Sequence, residues 1–193
     1  MKITNLTKKF SEKSIFSNFN CEFLDNKINY IIGESGCGKT TLLRIISGLD
    51  KDYTGTIDRV SEKISYVFQE PRLIPYISVI DNIKIVDELR DTKKAEKLLD
   101  ILELSNEANA KPNTLSGGMK MRVSLARALN CDCDIVLMDE PFAALDDELK
   151  ERILPKIFKH LEGKTVIIVS HNIEDCEKYA ENIIDLNENI LKE

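Results

Sequence analysis

"INYIIGESGCGKTT", residues 28–41, runs from an apolar stretch through a glycine-rich turn into what reads as the start of a helix. Gly33, Gly38, Lys39 and Thr40 satisfy the spacing G-x-x-x-x-G-K-[ST], and the motif lies in the strand, loop, helix context that gives it meaning. Glycines let successive backbone N–H groups turn toward one centre, and the helix N-terminus adds its positive dipole end, so the loop is built to hold phosphate oxygens. Gly33, Glu34, Ser35, Gly36, Cys37, Gly38, Lys39, Thr40 and Thr41 would surround the ligand. Lys39 would reach the β- and γ-phosphates, and the Thr40 hydroxyl would face a Mg2+ ion. The implied ligand is a nucleoside triphosphate.

Outward from this loop, "KITNLT", "FNCEFL" and "KINYII" are short strand-like runs separated by turn residues such as "LDNK", and "TGTIDR" and "KISYVFQ" continue the pattern. Between them, "TTLLRIISGL" sets Leu42, Ile45, Ile46 and Leu49 at helical spacing, with Gly48 where a C-terminal cap belongs. From Pro71 to about Asn113 the chain turns helical, with "SVIDNIKIVDELR" and "KKAEKLLDILEL" carrying apolar residues three and four apart. "IVLM" (135–138) and "VIIV" (166–169) are the short apolar runs of strands buried on both faces of a parallel sheet. "DDELKERILPKIFKHL" and "IEDCEKYAENI" read as helices, the first expected to kink or split at Pro155. The alternation predicts an α/β fold, a sheet with helices on both faces. The expected organisation is one domain over 1–193, with a core from 1–70 and 131–193 and a helical insertion over 71–130.

The chain has 193 residues, 42% hydrophobic and 31% charged, which is enough to bury a sizeable core. A net charge of −6 with scattered basic residues argues against a nucleic-acid partner, because neutralising phosphates needs clustered Lys and Arg. No apolar run reaches the roughly 18–20 residues of a membrane span, and "MKITNLTKKF" lacks the core of a signal peptide. A cytoplasmic chain is expected. The five cysteines, an odd number without CxxC or zinc spacing, read as free thiols.

"IVLMDEP" ends a buried strand with Asp139 and Glu140 at its carboxyl end, the edge at which ligands bind in open α/β sheets. Asp139 would hold Mg2+, directly or through water, and Glu140 could polarise an attacking water as general base. Beside a phosphate loop this pair points to hydrolysis.

"NTLSGGMKMRVSLARAL", residues 113–129, raises a further question, since it supplies a second glycine turn at a helix start. Read by its residues, it is an N-cap at Ser116 before a helix with Met119, Val123 and Ala126 on one side, or a second anion site. "LSGGM", Leu115 to Met119, resembles the signature sequence of ABC ATPases, and the other marks of that family stand around it in order. Phe10 resembles the ring that stacks on adenine, and Gln69 resembles the glutamine that senses Mg2+ and the γ-phosphate. "AALD", ending at Asp146, resembles the loop after the catalytic glutamate, and His171 resembles the histidine that contacts the γ-phosphate. The resemblance spans the chain and implies a RecA-like P-loop NTPase core with a mostly parallel sheet, an N-terminal antiparallel β subdomain and an inserted helical subdomain. It implies ATP and Mg2+ as ligands, with Glu140, His171, Gln69 and Lys39 as the catalytic set. In that family two domains sit head to tail, and Leu115, Ser116, Gly117, Gly118 and Met119 of one close over the nucleotide of the other. The second turn would then serve the partner's ATP.

There are departures from the family's pattern. Met119 stands where Gln is commoner, the turn glycine before the phosphate-loop strand is Asn26, and the region from Gly48 to Gln69 is abbreviated. The sequence stops soon after "ENIIDL", so no appended regulatory domain is expected. "YVFQEPRLIPYISVIDNI" is similar to a stretch in the ATPases of sulfonate, taurine and nitrate importers. That branch implies a homodimer on the inner face of the membrane, bound to permease subunits and served by a solute-binding protein. The competing readings are a soluble ABC ATPase acting on DNA or the ribosome, an ABC exporter subunit, and a P-loop nucleotide kinase. The last would leave the signature, Gln69 and His171 without a role.

Overall fold

In the computed structural model residues 1–187 are described, apart from 12, 60, 62 and 172. The chain begins with β1 (Lys2–Phe10), β2 (Lys13–Glu22), β3 (Ile28–Ile32), α1 (Lys39–Ile46), β4 (Thr54–Asp58) and β5 (Ile64–Val67). There follow α2 (Val79–Lys84), α3 (Thr92–Ile101), α4 (Gly117–Asn130) and β6 (Ile135–Asp139). It ends with α5 (Asp147–His160), β7 (Thr165–Val169), α6 (Ile173–Tyr179) and β8 (Asn182–Asp185). Two compact units result. One holds Met1–Ile64, Asp134–Glu140 and the chain from Gly163 onward; the other holds Ser65–Cys133 and Pro141–Glu162.

The first unit contains two sheets. β1 lies between β2 and β4, antiparallel to both, and buries Ile3 and Leu6 completely. Of the second sheet this unit holds β6, β7, β3 and β8, parallel and in that order, with Ile135 opposite Thr165, Ile28 opposite Val166 and Asn29 opposite Asn182. Every residue of β6 and β7 is buried, as their unbroken apolar runs predict for strands covered on both faces. Asn26 does adopt a positive φ, 57°, and its N–H donates to Thr165 Oγ1 at 2.9 Å, which starts β3 in register. Within β3, buried Asn29 accepts from the Leu24 N–H at 2.8 Å and donates to the carbonyls of Leu24, Lys27 and Val166. A polar side chain in a core strand is tolerated only with partners of this kind. α1 buries Leu42, Leu43, Ile45 and Ile46 and stops at Gly48, whose φ of 75° lets its N–H reach back to the Ile45 carbonyl.

The second unit is helical after β5. Each helix starts at a polar cap: Ser78 accepts from Asp81 N, Asp91 from Lys93 N and Lys94 N, Ser116 from Met119 N, and Asp146 from Leu149 N. Two expectations need correction here. "SVIDNIKIVDELR" is helical only to Lys84, because the chain then turns through Arg90 at φ 48°. That turn is held by the Asp87 carboxylate, which accepts from Asp91 N and Lys94 Nζ. Pro155 does not split its helix: α5 runs unbroken through it. The proline removes one donor and stays exposed, while buried Ile153, Leu154, Ile157 and Phe158 on either side hold the helix to the core. Asn82, completely buried, accepts from Ile74 N at 2.8 Å and donates to the Ile74 and Ser78 carbonyls, so the segment before α2 is folded onto the helix.

Candidate functional site

The phosphate-type loop joins the end of β3 to α1 in the first unit, and its shape depends on glycine. Gly38 has φ 105° and caps α1, and a Cβ there would lie 2.6 Å from Ile15 Cγ2 and 2.9 Å from Phe16 Cζ. At Gly33 a Cβ would lie 2.8 Å from Cys37 Sγ. No side chain caps α1, and its first turn carries no acidic residue, so the N-terminal N–H groups and dipole remain available to an anion. Lys39 is buried, and its Nζ donates to the Gly33 carbonyl at 2.7 Å and the Glu34 carbonyl at 2.8 Å. The ammonium thus lies inside the ring formed by the loop. The Glu34 N–H donates to Asn187 Oδ1 at 3.0 Å, which anchors the loop's first turn to the chain after β8.

Asp139 ends β6 and is 3% exposed. Burial raises its carboxyl above the ordinary range, against the opposing hydrogen bond from Thr40 and the charges of Lys39 and His171. Thr40 itself is exposed. Glu140 follows at φ 50°, an uncommon conformation for a residue with a side chain, held by its N–H donating to the Val169 carbonyl at 3.0 Å. Its Oε2 accepts from the His171 backbone N–H at 3.4 Å. His171 Nε2 lies 3.1 Å from Oε1, within ion-pair distance when the ring is protonated, yet not aligned as a hydrogen bond, so this buried oxygen accepts none from the described residues. Burial also raises the Glu140 carboxyl, with His171 and Lys39 acting against it. A carboxylate of raised proton affinity, with one oxygen unsatisfied beside an imidazole, can take a proton from water. Phe10, at the end of β1, is 50% exposed, with Lys8 Nζ 4.6 Å from its ring centroid.

The remaining sequence candidates belong to the second unit. Gln69 is exposed just after β5. Ser116 is exposed, with its hydroxyl accepting from Met119 N at 3.2 Å. Gly117 has open space where a Cβ would be, and Gly118 would bring one to 3.1 Å from the Ala144 carbonyl. Leu115 is buried and Met119 half-buried. Asp146 spends one carboxylate oxygen on the Leu149 N–H at 2.9 Å, the cap of α5. The structure therefore brings Lys39, Thr40, Asp139, Glu140 and His171 together. Two residues that sequence reasoning passed over touch sequence candidates: Asn187 bonds the loop at Glu34, and Lys8 lies against the Phe10 ring. Asn187 carries no motif, whereas Lys8 was detectable as a charge in a strand whose other interior residues are apolar.

The donor set fits the implied ligands. Among the described residues no three His, Cys, Asp or Glu gather as a metal cluster. Mg2+ needs none, since it is held by one or two protein oxygens, substrate phosphates and water, and the hydrogen-bonded pair of Thr40 and Asp139 could supply those oxygens.

A glycine loop wrapped around a lysine at an uncapped helix start, with two carboxyls at the end of a parallel strand, defines a P-loop nucleotide-binding protein. The family model described as "ABC transporter" matches residues 16–143. The chain belongs to the ABC transporter family, and it is an ATPase. It is 36% identical over 182 residues, 92% of this chain and 78% of the other, to the aliphatic sulfonates import ATP-binding protein SsuB 2 of Pseudomonas syringae. It is 33% identical over 196 residues, 99% of this chain and 81% of the other, to SsuB 1 of Paracoccus denitrificans. Among solved structures it is similar to the ATP-binding cassette MJ0796 in a dimeric post-hydrolysis state with ADP and Pi bound, at a TM-score of 0.82 and 34% identity. That match covers 95% of this chain and 93% of the other.

Proposed function

We propose that this chain is the ATP-hydrolysing subunit of an ABC importer for a small anionic solute of the sulfonate type. The observation that carries the motor role is the cluster of Lys39, Thr40, Asp139, Glu140 and His171 around the loop and strand end. The import role is supported by 33–36% identity, over most of the chain, to proteins named for sulfonate import. In this reading Gly33 to Thr41 bind the phosphates, Lys39 leaves the Gly33 and Glu34 carbonyls for phosphate oxygens, and Phe10 stacks on adenine. Mg2+, when bound, would neutralise charge on the phosphates. Glu140 accepts the proton of the attacking water at Oε1, which accepts no hydrogen bond from the described residues, and the adjacent imidazole of His171 stabilises the charge that develops. Gln69 keeps the sensing role that the family resemblance gives it.

Leu115 to Met119 close on the nucleotide of a second copy, in an isologous head-to-tail pair. Asp146 caps α5 and follows the catalytic glutamate, and the family resemblance adds it to the nucleotide-binding residues. Closure of that pair would drive permease subunits, with a solute-binding protein delivering the cargo, and the protein would work at the inner face of the membrane. No helix among the described residues is long and apolar enough to cross a membrane.

Light scattering on the Glu140→Gln protein after size exclusion tests the motor reading. A shift from monomer to dimer only with MgATP supports the composite site, whereas a monomer that still binds ATP refutes closure by the cassette alone. For the cargo, a host lacking the gene should fail to grow on an aliphatic sulfonate as sole sulfur source; normal growth refutes that assignment.

A further inference from the structure

Lys8 is a buried cation in a strand that has no packing need for one. Its side chain is 2% exposed, and its Nζ donates to Asp50 Oδ1 at 3.0 Å, to the Asp52 carbonyl at 2.6 Å and to Asp52 Oδ2 at 3.3 Å. These occupy the three donors of an ammonium group. The same Nζ sits 4.6 Å from the centroid of the ring of Phe10, a residue that is half exposed. Asp50 is itself tied to α1, since its N–H donates to the Arg44 carbonyl at 3.0 Å. A continuous connection therefore runs from the Phe10 ring through Lys8 and Asp50 to the helix that begins with Lys39.

From this geometry we propose that Lys8 is a positioning residue for nucleobase recognition: its ammonium holds the Phe10 ring by a cation–π contact and links it to the phosphate-loop helix. The proposal rests on the reading that Phe10 stacks on the base. An aromatic side chain at the end of a strand loses rotamer freedom when a base stacks on it, and a ring already held loses less on binding. A cation against one face also draws on the ring's π cloud, which eases stacking of an electron-rich purine on the other. Burial opposes the charge on Lys8, but the two aspartates more than offset it, so the group remains an ammonium.

The test compares dissociation constants for ATP and for inorganic tripolyphosphate, which offers phosphates without a base, both with magnesium. The readout is their ratio. In the full chain, Phe10→Ala should reduce the preference for ATP by about fivefold to a hundredfold, the size of a base–aromatic stack. Lys8→Met should reduce it by about three- to fivefold, the size of a cation–π contact, with tripolyphosphate affinity unchanged. Lys8→Arg should restore the preference. The double variant Lys8→Met with Phe10→Ala should match Phe10→Ala alone, because Lys8 acts through the ring. An unchanged ratio in Lys8→Met, or a loss that adds to that of Phe10→Ala, overturns the proposal while the base-stacking reading stands. An unchanged ratio in Phe10→Ala overturns the base-stacking reading, and the proposal with it. Should Lys8→Met not fold, Asp50→Asn takes its place in the cycle, since it loosens the anchor and keeps the ammonium; no loss of ATP preference there overturns the proposal.

Discussion

Replacing Glu140 by Gln separates chemistry from binding at this site. The amide keeps the size of the side chain, and both residues carry the same backbone cost at φ 50°, so that cost cancels in the comparison. What is lost is the ability to take a proton at Oε1, the oxygen that no described residue hydrogen-bonds. A positioned general base contributes about a hundredfold to ten-thousandfold, and kcat should fall by that factor, about 2.7–5.4 kcal/mol in activation free energy. Lys39, Thr40 and the loop glycines are untouched, so ATP affinity should change by less than about threefold. Single-turnover phosphate release, paired with equilibrium binding of labelled ATP, measures both. A kcat within tenfold of the parent, or a loss of binding equal to the loss of rate, refutes Glu140 as the base. The same substitution has a stability signature. Burial holds the Glu140 carboxyl above its ordinary value of 4.5. Its favourable contribution is therefore complete below the unfolded value and is lost as pH rises through the folded one. Gln has no such dependence, so the variant should gain in melting temperature over the parent as pH is raised from 4 to 8; a gap that narrows with pH contradicts this electrostatic account.

Gly38→Ala should abolish tight ATP binding and destabilise the first unit. The αL-side backbone costs about 1–2 kcal/mol, and the clash with Ile15 and Phe16 adds about 1–3 more; a melting temperature equal to the parent's refutes the geometry. Asn82→Ala leaves the half-buried N–H and carbonyl of Ile74 without the partners they have now and should cost about 1–3 kcal/mol in urea titration. A cost under about 1 kcal/mol means that the segment before α2 refolds around the loss. Against the penalty of burial, Lys8 holds the Asp50 carboxyl below its ordinary range. Its stabilisation is present above about pH 4 and lost as pH falls through the depressed value, so Asp50→Asn should flatten the acid limb of stability and leave the basic side unchanged in shape. An acid limb as steep as the parent's counts against the Lys8 pair.

What the sequence determined by itself is whatever depends on local spacing. The turn between β3 and α1 was legible because its glycines, lysine and threonine lie in one short stretch at a fixed spacing. The same holds for the apolar runs of β6 and β7, which mark strands covered on both faces, for Gly48 as the stop of α1, and for Asn26 as a residue that tolerates positive φ. The length of α2 was not legible, because the periodicity of "SVIDNIKIVDELR" says nothing of the Asp87 carboxylate that stabilises the turn ending it. Nor was the continuity of α5 through Pro155, where packing on both sides of the proline outweighs one missing hydrogen bond. Only the tertiary structure decided that Glu140 has one oxygen bonded by the His171 N–H and another that no described residue hydrogen-bonds. Only it joined Asn187 to the Glu34 N–H across 153 residues, and Lys8 to Asp50 across 42. These pairings come from the order in which strands lie side by side in a sheet, which places residues remote in sequence within hydrogen-bond distance and leaves no periodic mark on the chain.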